Sequence, residues 1–168
     1  MTLRSISNGD AELIGEWMSE EENYRWLDFG AGRQSLTAVN IRIMMQRDIH
    51  AIRVFTPDSD DVPIGVVALS DIDRNARTAC LWYVLGDKTF AGRGYTARAA
   101  SKMLREGFSD LGLQSVYAWT VDSNAVSIRI LERNGFRVIG RRRECHYLSG
   151  QIRDRLLFDL LASEYKEL

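Results

Sequence analysis

Gly92 and Gly94 stand one residue apart in the run Thr89-Phe90-Ala91-Gly92-Arg93-Gly94-Tyr95-Thr96-Ala97. Placed after a strand and at the start of a helix, such a loop lets backbone N–H groups converge on an anion, and the helix dipole adds to that field. No Asp or Glu between Thr89 and Ala97 opposes it. A plain turn has the same glycine spacing. Gly92-x-Gly94-x-x-Ala97 also matches the dinucleotide fingerprint, but there the first glycine follows its strand almost at once. Here residues 86–91 separate Leu85 from Gly92, and too little chain remains for the further strand–helix units. Both facts argue against nicotinamide binding.

Other chemistry-bearing residues are few. His146 is one of two histidines, and an imidazole titrates near neutral pH. Glu144 lies two residues away, on the same face if the strand is regular. Cys80 and Cys145 have no Cys or His at metal-ligand spacing, so no metal is expected. Arg141-Arg142-Arg143 offers an anion patch, although a charge run reads first as a solvated face. Asp71 and Asp73 read first as turn residues and are the weaker candidates for a base.

The elements that must position these residues follow from periodicity. Residues 3–6 read as an opening strand. Asp10 is placed to cap a helix carrying Leu13, Ile14 and Trp17 on one face. Residues 20–26 suggest a second short helix, and Gly30-Ala31-Gly32 a loop. Ser35 is a plausible cap for a helix through Val39, Ile43 and Met44. Residues 50–55, 63–69 and 78–85 form an antiparallel meander, and the near-continuous apolar run of the last makes it central. After the glycine loop come a helix over 95–110, a strand over 116–121 and a helix over 123–133. Strand segments at 136–140 and 143–148 and a closing strand over 154–161 complete the chain. Alternating strands and helices imply parallel pairing through crossovers.

Composition bounds the function. With 168 residues, 22 Lys+Arg against 23 Asp+Glu and 45% apolar content, the chain reads as one globular domain with no low-complexity divide. The charge balance argues against nucleic-acid binding, and no apolar run approaches the roughly 20 residues of a membrane span. The N-terminus has no apolar core of the signal-peptide kind, and a reducing cytoplasm is the default compartment for so few cysteines.

The glycine run resembles motif A of the GCN5-related N-acetyltransferases, whose Gln/Arg-x-x-Gly-x-Gly/Ala loop cradles the pyrophosphate of acetyl-coenzyme A. Gly92, Arg93 and Gly94 match its last three positions, and Thr89 departs from the preferred Gln or Arg. A second stretch, from Asn124 through Ser127 to Gly135-Phe136, resembles the family's Asn-x-x-Ser helix. Ser127 and the ending His146-Tyr147-Leu148-Ser149-Gly150 look most like the RimJ/RimL-type branch, which includes ribosomal-protein N-terminal acetyltransferases.

The resemblance implies a single α/β (α+β) domain over residues 1–168. It has a mixed sheet of six to seven strands, about four helices and a V-shaped gap between the fourth and fifth strands. Residues 1–77 would form the acceptor side and 78–168 the cofactor half. The implied reaction moves an acetyl group from acetyl-coenzyme A to a primary amine by direct attack. The acceptor is a protein N-terminus or a small amine: amino sugar, antibiotic, polyamine or amino acid. A non-catalytic acyl-coenzyme A sensor is the alternative, and the chain is expected to act as a monomer or homodimer.

Coenzyme A would meet main-chain groups at Tyr83, Val84 and Leu85, the loop residues Phe90, Ala91, Gly92, Arg93, Gly94, Tyr95 and Thr96, and Asn124 and Ser127. Asn124 equally reads as a helix cap. Ser127 is the implied acid towards the thiolate, because Leu131 stands where the family often has a Tyr; it equally reads as a small residue on a buried face. A base for the acceptor ammonium would be His146 or Glu144. Tyr24, Trp26 and Phe29 are candidates to line the acceptor pocket, or else are core.

Overall fold

The computed structural model describes residues 1–30 and 32–168. Strands β1 (Thr2–Ser5), β2 (Ala51–Thr56), β3 (Gly65–Asp73), β4 (Thr78–Leu85), β5 (Ser115–Val121), β6 (Arg137–Leu148) and β7 (Gln151–Leu161) form one mixed sheet in the order β1-β2-β3-β4-β5-β7-β6. The expected meander is present, and β4 lies fourth of seven. Among the described residues only β4 and β5 pair in parallel. The crossover from β5 to β6 skips a position, which β7 fills antiparallel to both.

Among the described residues five α-helices, against an expectation of about four, cover the sheet: α1 (Asn8–Ser19), α2 (Glu21–Tyr24), α3 (Ala38–Met45), α4 (Tyr95–Arg105) and α5 (Ala125–Arg133). Their caps correct the sequence reading in two places. Ser7, not Asp10, caps α1; Asp10 sits at the third helical position and closes a reciprocal capping box. Thr37, not Ser35, caps α3 in the same way with Asn40. The helix expected to run to residue 110 leaves α-geometry at Glu106 and closes in a π-turn through Asp110. Asn124 caps α5, its Oδ1 accepting from Ser127 N. Of the expected loop at 30–32, Gly30 and Gly32 have positive φ and Ala31 lies outside the described residues.

Strand alternation sends side chains to two cores. Phe55, Leu69, Leu81, Met103, Leu104 and Phe158 pack between the sheet and α4. Ile14, Met18, Ile41, Val54, Val66 and Val84 pack between the other face and the N-terminal helices. Each such side chain contributes about 1.5–3 kcal/mol by leaving water. These cores hold β4 rigidly between two helical layers.

The β6 segments expected apart are one strand with two irregularities. Between Arg142 and His146, three residues of β6 face the single Asp154 of β7. Glu144 adopts φ +46° at this bulge and its N–H donates to Asp154 Oδ1 at 2.8 Å. The regular alternation that would have set Glu144 beside His146 is therefore broken.

Candidate active site

The β4–β5 pairing covers only Thr78–Cys80 against Ser115–Tyr117. Beyond Cys80 the strands splay, because β5 stays with β7 through Val121 while β4 stays with β3 through Leu85. The facing main-chain groups of residues 81–85 thus have no partner strand. A cleft of about 1450 Å³ fills the gap and reaches both faces of the sheet.

On one face the cleft ends at the glycine loop. Gly92 and Gly94 adopt φ +74° and +75°, the left-handed region that glycine enters without a Cβ penalty. Gly94 is the N-cap of α4 and supplies no side-chain acceptor. The first helical bond runs from Arg98 N to Gly94 O, so the N–H groups of Tyr95, Thr96 and Ala97 lack a helical acceptor. A Cβ built on Gly92 would meet nothing within 4 Å, and one on Gly94 only Arg133 Nη1 at 3.8 Å. Unsatisfied donors facing open space at a helix N-terminus fit a pyrophosphate. Arg129 and Arg133, four residues apart on α5, line the same end. Arg93 does not line the cleft; its guanidinium lies 5.2 Å over the Phe90 ring, which packs edge-on to Tyr95.

Midway along the gap, Tyr83 from β4 and Ser127 from α5 meet. Tyr83 Oη and Ser127 Oγ are 2.8 Å apart, and the phenol also lies 3.3 Å from Ser127 O. Burial pushes the Tyr83 phenol pKa far up, so it stays a protonated donor. Both residues line the cleft with Asn124, Val84, Leu85, Phe90, Ala91, Gly92, Gly94, Tyr95 and Thr96. The structure therefore assembles nearly the whole expected set. The Tyr83 hydroxyl was not anticipated; its signal was only a tyrosine on the strand.

The opposite face is aromatic. Trp26 and Phe29 line the cleft as expected, while Tyr24 ends α2 and does not. Trp82 packs edge-on to Phe29, with centroids 5.4 Å apart, and Trp119 completes the wall. Alternation along β4 and β5 could have placed both tryptophans on this face with Cys80 and Tyr117. Asp71 at the β3 bulge (φ +53°), His50 and Lys88 also line the cleft. Burial lowers the His50 pKa, so its ring is neutral at pH 7. Burial likewise pushes the Cys80 thiol up to about 12, leaving it un-ionised. Lys88 Nζ donates to Leu85 O at 2.5 Å and to Asn23 Oδ1, tying α2 to the end of β4.

His146 and Glu144 lie outside the cleft lining. Glu144 is exposed at its bulge. His146 is 2% exposed and both ring nitrogens are engaged. Arg155 Nη2 donates to Nδ1 at 2.9 Å, and Nε2 lies 2.7 Å from Arg25 O. The guanidinium cannot accept and the carbonyl cannot donate, so the ring is the neutral Nε2–H tautomer. A histidine so bound has no lone pair for an incoming ammonium. Arg141 pairs with Asp122 and Asp154, and the exposed Arg141–Arg143 run does not line the cleft.

Among the described residues no cluster of His, Cys, Asp or Glu could hold a metal ion, and no helix is long and apolar enough to cross a membrane. The profile of the acetyltransferase (GNAT) domain matches residues 1–137. The chain is 25% identical over 171 residues to "Uncharacterized N-acetyltransferase p20" of Bacillus licheniformis, covering 98% of this chain and 94% of that protein. It is 25% identical over 173 residues to "Putative ribosomal N-acetyltransferase YdaF" of Bacillus subtilis, covering 99% and 93%. In fold it resembles the spermidine N-acetyltransferase of Vibrio cholerae in complex with CoA and spermine. That match has a TM-score of 0.85 at 19% identity and covers 98% of this chain and 96% of the other.

Proposed function

The chain belongs to the acetyltransferase (GNAT) domain family, and on that premise we propose how its cleft moves an acetyl group from acetyl-coenzyme A to a primary amine. The enzyme is an acyltransferase with acetyl-coenzyme A as co-substrate. The observation that carries the reading is one continuous cleft, with uncapped helical N–H groups at one end and an aromatic wall at the other.

The α4 N-terminus binds the pyrophosphate, and the partnerless edge of β4 at 81–85 takes the pantetheine amides. An N–H of that edge polarises the thioester carbonyl. The acceptor amine enters from the side of Trp26, Phe29, Trp82 and Trp119, whose ring faces attract an alkylammonium. After loss of its proton the amine attacks the carbonyl carbon: a C–N bond forms and the C–S bond breaks. The Ser127 hydroxyl gives its proton to the departing sulfur and is resupplied from Tyr83, 2.8 Å away; the second proton, shed by the nitrogen as it becomes an amide, returns through water to Tyr83. His50, neutral and on the acceptor side, receives the ammonium proton directly or through water. Holding both substrates in one gap contributes several kcal/mol by proximity alone.

The acceptor is a protein N-terminus or a small amine. YdaF is named for the first class and the Vibrio cholerae enzyme for a polyamine. Residues 1–77 supply most of the acceptor side, to which Trp82 and Trp119 add, and the rest of 78–168 forms the coenzyme half of one domain, acting as a monomer or homodimer in the cytoplasm without nucleic acid or membrane.

The test has two parts. Calorimetry with coenzyme A measures binding at the glycine loop. Thiol release is then followed with acetyl-coenzyme A and a panel of spermidine, glucosamine, kanamycin, lysine and an N-terminal Ser-Ala peptide. Turnover on at least one amine is expected. Tight coenzyme A binding without turnover on any would instead support the sensor reading, and no binding would remove both.

A further inference from the structure

We propose that His146, Arg155 and Asp28 form a clamp that positions the aromatic acceptor wall, making His146 a positioning residue and not a carrier of the amine's proton. The inference rests on reading that wall as the acceptor side.

The clamp spans three elements. Arg155 projects from β7, opposite Val121 of β5, and is 8% exposed. Its Nη2 donates to Asp28 Oδ2 at 2.6 Å and to His146 Nδ1 at 2.9 Å, and its Nε approaches the same Nδ1 at 3.3 Å. His146 passes the connection on through Nε2–H to Arg25 O at 2.7 Å. Gln34 Nε2 reinforces it, donating to Arg25 O at 3.2 Å and to Tyr147 O at 3.1 Å. Arg25 precedes Trp26 and Asp28 precedes Phe29, the two aromatic residues this segment lends to the cleft; Arg25, Leu27 and Asp28 line it as well. The guanidinium also stacks 3.9 Å over the ring of Trp119, which lines the opposite part of the wall. One buried charge thus fixes a loop wall and a strand wall against each other.

The chemistry is that of a fixed tautomer. Arg155 and Arg153 face His146 from β7, Asp28 and the Arg25 carbonyl from the 25–29 segment, and the Trp119 ring from β5 at 5.8 Å. Asp28 is the one anion among them, and Arg155 neutralises it. A proton on Nδ1 would set two cations 2.9 Å apart in a buried site and break the donation from Arg155. The clamp therefore holds with a neutral ring, and burial lowers the His146 pKa in keeping with that.

The test uses the full chain labelled with 5-fluorotryptophan, whose four tryptophans are 17, 26, 82 and 119. H146N keeps an acceptor for Arg155 but removes the donor to Arg25 O; D28N weakens the other arm and is read by fluorine alone, because Asp28 itself lines the cleft. Both should shift or broaden the fluorine resonances of Trp26 and Trp119, assigned with W26F and W119F, while coenzyme A affinity stays within about twofold. In wild type the Trp26 resonance should move as pH falls below 6.5, and that movement should vanish in H146N. With the best amine of the panel above, the KM of H146N should rise about fivefold or more and its kcat should change less than twofold. H146Q, whose amide reaches Arg25 O, should recover much of the loss.

Unmoved fluorine resonances in both variants would overturn the clamp. So would a fall in kcat at constant KM with loss of an acidic limb in the pH profile, the signature of a base. A wild type that binds no coenzyme A and turns over no amine would defeat the functional reading, yet the fluorine spectra would still decide the clamp.

Discussion

Gly94→Trp tests the proposed coenzyme site most directly. In the structure Gly94 has φ +75°, and a Cβ there points into the cleft with Arg133 Nη1 as its nearest neighbour at 3.8 Å. Two separable penalties follow. The left-handed backbone costs a non-glycine residue about 1–2 kcal/mol, which falls on folding stability. For a chain of this size, that lowers Tm by about 2–8 °C. The indole then covers the N–H groups of Tyr95 and Thr96, which have no acceptor of their own. Each hydrogen bond to a charged phosphate contributes about 1.5–3 kcal/mol, so losing two weakens binding by about 3–6 kcal/mol. That corresponds to an affinity loss of about 10²–10⁴-fold. Calorimetry should find it with coenzyme A and not with pantetheine, which lacks the pyrophosphate. Gly94→Ala separates the two effects: it keeps the stability loss, since 3.8 Å is ordinary contact, with less than about tenfold loss of affinity. The reasoning is refuted if G94W binds coenzyme A within threefold of wild type, or if pantetheine binding falls equally.

The remaining expectations are these. Ser127→Ala should lower kcat about 10²-fold with little change in coenzyme A affinity. Tyr83→Phe should lower it less, and the double variant should be no worse than Ser127→Ala, because the two hydroxyls act as one unit. Rate measurements on all three check this, and additive losses would count against the relay. Hydrogen bonds from Arg4, with help from Ser7, hold Asp10 at about 2 against an ordinary 3.8. A depressed carboxylate stabilises the fold above its unfolded pKa and loses that contribution as pH falls from about 4 towards 2. Asp10→Asn should therefore cost about 1–2 kcal/mol at pH 7, after allowing for screening of the partly exposed Arg4, and almost nothing at pH 2; urea midpoints at both pH values read the difference. Gly86→Ala would bring a Cβ within 2.0 Å of the Trp17 ring, so overpacking should destabilise by about 1–3 kcal/mol. Trp17→Leu in the same chain should restore much of the lost Tm.

Much of this architecture was readable from local signals. The apolar run at 78–85 delivered β4 to the residue, and the Gly92-x-Gly94 spacing delivered both the turn and the start of α4 at Tyr95. Such features rest on interactions within a few residues: a positive φ, a cap, a stripe of alanines. Helix caps were less legible, since Ser7 and Asp10 are both good capping residues and only the reciprocal hydrogen bonds show which one plays the cap. The acceptor side was legible only in part. Trp26 and Phe29 were expected there, but Trp82 and Trp119 became wall residues through the splaying of β4 from β5.

His146 shows where sequence stops. Its type and its place before Tyr147-Leu148 suggested a base, because an imidazole in isolation titrates near neutral pH. Its actual state is set by Arg155 nine residues away and Arg25 on a distant segment, which occupy both nitrogens. A three-residue bulge against Asp154 also removed Glu144 from its side. The sequence by itself determined the glycine turn, the central strand and the family, because backbone conformation and periodicity are local properties. The tertiary structure alone decided which titratable groups face the cleft and which are bound away from it, because desolvation and hydrogen-bond partners come from residues far apart in the chain.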